Sequence, residues 1–114
     1  MLNLHKSKES HFDILSLSGE VDASNSVILD HAIKELVEEG AKVILVDGQN
    51  LEYISSAGLG VFMSYLEDFQ DQGIRLVIFG LSPRVYEVFK ILGLDQLIPI
   101  VEDKSTAIAS ENEV

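Results

Sequence analysis

No residue of the chain is cysteine. That excludes disulfides, thiol nucleophiles and cysteine zinc sites, and it fits a reducing compartment. Basic residues are few, 8 against 19 acids, for a formal net charge of −11. Affinity for DNA or RNA rests on basic surface, so no direct nucleic-acid partner is expected. The same acidity suits an electropositive protein partner. No apolar run approaches the roughly 20 residues that span a bilayer, so no membrane insertion is expected. The first residues, Met1-Leu2-Asn3-Leu4-His5-Lys6, lack a signal-peptide layout. A cytoplasmic protein is the expectation. The chain has 114 residues, 46% of them hydrophobic, which predicts one domain over 1–114 with a core that needs no staples.

Catalytic constellations are also lacking. His5, His11 and His31 have no ligand or triad spacing and read as exposed. A G-x-S-x-G elbow around Ser56 fails, because residue 54 is Ile. Gly58-Leu59-Gly60 begins like a dinucleotide fingerprint, but Met63 stands where the third glycine belongs. Glu67, Asp68 and Asp71 read as a solvated face. No enzyme, no cofactor and no bound metal are predicted.

What is present is an alternation of strands and helices. Leu2–Lys6 and Phe12–Ser18 predict a hairpin around the polar turn Ser7–Ser10. Gly19–Asp22 reads as a loop, with Asp22 or Ser24 capping a helix whose stripe is Leu29, Ala32, Ile33 and Leu36. Gly40 is its left-handed stop. Val43–Val46 is an unbroken aliphatic run, as in a strand buried on both faces. A second such strand is Ile74–Phe79. Ser82-Pro83 opens a helix with stripe Val85, Val88, Phe89 and Leu92, proline taking the first position, where its missing N–H costs nothing. Leu97–Val101 predicts a last strand, confined to an edge by Pro99. A short helix over 103–111 capped by Asp103 follows, with 111–114 expected to fray. The fold class is therefore α/β, with a mixed, mostly parallel sheet, an N-terminal hairpin and about four helices.

Asp47 to Gly60 organises this plan. It reads as a loop leaving the buried strand, then a helix with apolar stripe Leu59, Phe62, Met63, Leu66 and Phe69. Ser56 is expected at the N-cap, a placement that the capping preference alone explains. A phosphate on its oxygen would also meet the positive dipole end and free N–H groups. Gly58 and Gly60 would leave the first turn bare, so that a partner could come near. Ala57, Val61 and Tyr65 lie off the stripe, as partner contacts or as a flank of the core. Loops 19–23, 47–56 and 80–82 would gather at the strand ends, where sites on open α/β sheets form.

Asp47, Tyr53, Ile54, Ser55, Ser56, Ala57, Gly58 and Leu59 resemble the signature of STAS domains, in particular of small bacterial anti-sigma factor antagonists. The likeness extends to Gly19-Glu20-Val21-Asp22 and to the Ser-Pro-start helix ending at Gly93. Ser55 stands where many members have Asp, and Ala57 where many have Ser or Thr. The resemblance implies a STAS-like domain phosphorylated at Ser56. The implied partner surface holds Glu20, Asp22, Ser55, Ala57, Gly58, Gly60 and Val61. It implies two partners, an anti-sigma factor serine kinase and a serine phosphatase, which would carry the ATP and metal. Two other readings are a STAS domain in a partner-switching pathway without a sigma factor, and a nucleotide or small-ligand sensor using the same edge.

Overall fold

The computed structural model describes residues 1–112. Two strands open it, β1 (Leu2–Glu9) and β2 (Phe12–Val21), paired antiparallel through a turn at Ser10 and His11. Then come α1 (Ser26–Glu38), β3 (Val43–Ile54), α2 (Ser56–Gln72), β4 (Arg75–Phe79) and α3 (Pro83–Ile91). A 3₁₀ turn (Leu94–Gln96), β5 (Ile100–Val101) and α4 (Lys104–Asn112) complete the described chain. The sheet order is β1-β2-β3-β4-β5, with every pair after the hairpin parallel. This is the α/β plan expected: a mixed, mostly parallel sheet, a hairpin and four helices.

Period-two alternation sends neighbouring residues to opposite sheet faces. Leu15, Val46 and Ile78 stand in one cross-strand row, under α1, α2 and α3. Ile14, Leu45 and Val77 stand in the next row and face α4. Burial on both sides explains the unbroken aliphatic run of β3. The main core joins Leu29, Ile33 and Leu36 of α1 to Leu59, Phe62 and Phe69 of α2 and to Val85 and Phe89 of α3.

Several boundaries differ from expectation, each for a local reason. β3 does not stop at Val46. Residues 47–54 keep pairing with β2, and β3 takes extra residues opposite Ser16–Ser18 and Gly19–Glu20. Such bulges let an irregular, polar segment stay in a ladder. Gly19–Val21 is accordingly strand and not loop. The last strand shrinks to Ile100–Val101, because Ile98 donates its amide to the Leu94 carbonyl and Pro99 has no amide to give. β5 lies at the edge as expected. α1 is capped by neither Asp22 nor Ser24; Asn25 holds the N-cap position without a side-chain cap bond. Met63 is half exposed, not core. Of the tail expected to fray, Glu111 and Asn112 are helical, with Glu111 paired to Arg75; Glu113 and Val114 lie outside the described residues.

Candidate functional site

β2 and β3 end side by side, and α2 starts there. The Ser55 amide donates to the Val21 carbonyl at 2.9 Å, holding Ser55 extended beside the end of β2. The helix can therefore begin only at the next residue. Ser55, not Ser56, is the N-cap: its hydroxyl accepts from the Gly58 amide at 3.3 Å. Ser56 is the first residue of the 17-residue helix α2 and is exposed. Its hydroxyl has no protein partner among the described residues.

The two serines thus divide the work that the sequence assigned to one. Ser55 is half-buried, with its oxygen committed to the helix. Ser56 presents a free hydroxyl one residue further, where the amides of the first turn and the helix dipole favour an added anion. The first turn holds no acidic residue to oppose such a charge.

Gly58 also departs from expectation. It is buried, and a β-carbon there would stand 2.6 Å from Val21 Cγ1 and 2.7 Å from Ile54 Cγ1. The close approach that glycine permits is internal. It seats the α2 terminus on the strand ends and does not open them to a partner. At Gly60 nothing lies within 4 Å of a would-be β-carbon, so that part of the turn is bare.

The 20–25 segment lies alongside, tied down by its own polar groups. Asp22 accepts from the amide and hydroxyl of Ser24, and Asn25 Oδ1 accepts from the Asp22 amide at 2.9 Å. Asn25 Nδ2 donates to the Glu20 carbonyl at 3.0 Å. The Ser24 hydroxyl bond, ahead of the amide bonds, holds the Asp22 carboxyl below its usual value. Glu20 is exposed. Ala57 and Val61 are half-buried, Val61 packing on the core. Tyr65 flanks the core: its hydroxyl donates to Asp30 Oδ1 at 2.8 Å and fastens α2 to α1.

Met63 is an exposed residue the sequence reading assigned to the core. Ser56, Gly60 and Met63 stand at i, i+4 and i+7, hence on one side of α2. That spacing was the available signal. Tyr53, at the end of β3, is likewise half exposed. Asp47, read as opening a loop, lies within β3 and accepts from the Gln49 amide at 3.0 Å. His5, His11 and His31 are exposed. Among the described residues no group of three or more His, Cys, Asp or Glu could hold a metal. Among the described residues no helix is long and apolar enough to cross a membrane.

A mixed sheet with a three-helix face, and a serine opening the helix after the central strand, define a recognised class of domain. The model of the STAS domain family matches residues 5–107, and the chain belongs to that family. The "Anti-sigma-B factor antagonist" of Listeria monocytogenes is 33% identical over 90 residues, which cover 79% of this chain and 78% of that protein. The solved anti-sigma factor antagonist SpoIIAA in its unphosphorylated form superposes with a TM-score of 0.82 at 19% identity, covering 98% of both chains. The Bacillus cell fate determinant SpoIIAA in its phosphorylated form gives 0.70 at 20% identity, covering 96% of this chain and 98% of that one. At these identities the solved structures speak for the fold.

Proposed function

We propose that this chain is an anti-sigma factor antagonist in the cytoplasm, a binding module switched by phosphorylation of Ser56. Unphosphorylated, it binds an anti-sigma factor that is also a serine kinase, and a sigma factor is released. The kinase inactivates the module by phosphorylating Ser56, and a serine phosphatase restores it. Nucleotide and metal belong to those partners. The observation that carries the reading is the exposed, unpartnered Ser56 hydroxyl at the start of α2, beside a serine whose hydroxyl is already used as the cap. The name of the Listeria relative supports the sigma-factor output.

The contact surface of this reading is the strand-end edge: Glu20 and Asp22 on one side, and Ser55, Ser56, Ala57, Gly60, Val61 and Met63 along α2. Gly58 acts from beneath, as the seat of the helix. A phosphoserine brings about −1.5 to −2 charge at neutral pH. At a helix N-terminus the fold tolerates it. The interface does not, because a dianion must be desolvated where a small hydroxyl had fitted, at a cost of several kcal/mol when unpaired. About 3 kcal/mol already weakens binding more than a hundredfold.

The test is phosphosite mapping after incubation with the cognate kinase and ATP, alongside binding of Ser56→Ala and Ser56→Asp. Phosphate on Ser56, tight binding by the alanine variant and weak binding by the aspartate variant are expected. Phosphate on Ser55 alone, or equal affinity of the two variants, would overturn the reading.

A further inference from the structure

The two faces of the sheet are covered very unequally. Three helices share one face, each burying at least two apolar side chains. Opposite them lies a strip of Phe12, Ile14, Leu45, Val77 and Phe79, each no more than 5% exposed. Among the described residues α4 is the one helix on that strip. It sets a single fully buried side chain there, Ala107, with Ile108 partly buried beside it. Its remaining attachments are polar. Lys104 pairs with Glu9, on the hairpin. Arg75, at the start of β4, donates to both carboxylate oxygens of Glu111, at 3.0 and 3.2 Å. Asp103 caps the helix by accepting from the Thr106 amide at 2.8 Å.

We propose that α4 is a releasable cover: it opens as a unit, latched by these two ion pairs, while the sheet and the three-helix face stay folded. Three features combine to this. On its own side α4 contributes one alanine and part of one isoleucine, fewer and smaller apolar side chains than the other helices bury, so its hold on the strip rests more on the polar latches. At nine residues α4 is shorter than a helix that persists alone in water, so undocking also unwinds it. The latches differ in burial: the Lys104 and Glu9 side chains are 44% and 51% exposed, whereas in the other pair Glu111 is 4% exposed under an Arg75 that is itself 60% exposed. Salt screens the exposed pair, and neutralising Glu111 removes the other. Opening lays bare the apolar strip on the side of the sheet away from α2. The Ser55 cap and Ser56 therefore keep their geometry whether α4 is docked or released.

Hydrogen–deuterium exchange with mass spectrometry on the full chain tests this, at low and high salt, for wild type and Glu111→Gln. The amides of Ala107–Glu111 should exchange at least about tenfold faster than those of β2, β3 and β4, as a local opening requires. High salt and Glu111→Gln should each speed them further and leave the sheet amides unchanged. Equal protection of α4 and β4 in wild type would show that α4 opens only with the whole domain and would overturn the proposal, even if the variant folded poorly. Fast exchange of α4 indifferent to both salt and Glu111→Gln would overturn the latch.

Discussion

Gly58 and Gly60 lie two residues apart in the first turns of one helix, yet a methyl group should act on them in opposite directions. At Gly58 the new carbon would stand 2.6 Å from Val21 Cγ1 and 2.7 Å from Ile54 Cγ1. Neither neighbour is a flexible surface side chain: Val21 is 0% and Ile54 2% exposed. Overpacking of this kind costs about 1–3 kcal/mol. The intrinsic preference of a helix for alanine over glycine returns about 1 kcal/mol at most. Gly58→Ala should therefore lose up to about 2 kcal/mol. At Gly60 nothing lies within 4 Å of the added carbon. Gly60→Ala keeps the gain, about 0.5–1 kcal/mol. At about 4 °C per kcal/mol for a domain of this size, the two midpoints should separate by roughly 2–12 °C, with Gly60→Ala the higher. Urea and thermal unfolding of the two variants and wild type measure this directly. A Gly58→Ala protein stabilised as much as Gly60→Ala would mean that the strand ends yield freely. The internal seating of α2 would then be wrong.

Removing the cap should cost more than removing the proposed phosphorylation site: Ser55→Ala loses about 1 kcal/mol in urea unfolding. Ser56→Ala, whose hydroxyl has no protein partner, should stay within about 0.5 kcal/mol of wild type; the reverse order would return the cap to Ser56. Tyr65 should give the domain an alkaline limit. Burial, then its bond to Asp30 with Asp68 and Glu38 nearby, pushes the phenol up from 10.0 to about 12. A folded-state value above the unfolded one means stability that is complete below pH 10 and is lost as pH rises toward about 12. Thermal midpoints of wild type and Tyr65→Phe across that window check it, since the variant should lose part of the slope; an unchanged slope would place the alkaline sensitivity elsewhere. At neutral pH the variant should cost about 0.5–1.5 kcal/mol for the lost hydrogen bond.

The sequence by itself determined the order of elements and marked the stretch that holds the candidate site. An unbroken aliphatic run such as Val43–Val46 has few homes outside a strand covered on both faces. The stripes Leu29-Ala32-Ile33-Leu36 and Val85-Val88-Phe89 are buried by helices, while Leu92, read into the second stripe, is half exposed because α3 ends at Ile91; Ser82-Pro83 and Gly73 mark helix ends by their own backbone chemistry. Residues 47–60 were readable as the junction where β3 hands over to α2. What the tertiary structure decided is which atoms do what within that junction. Two adjacent serines are chemically equivalent in sequence. The bond from the Ser55 amide to Val21, thirty-four positions earlier, makes one the cap and leaves the other free. The polar segment 47–54 looks like a loop by composition, but a neighbouring strand with matching bulges keeps it in the ladder. Gly58 looks open on a helix taken alone, and it is closed by side chains from two different strands. Local pattern carries information about local backbone states, and these three outcomes depend on groups brought together only when the sheet assembles.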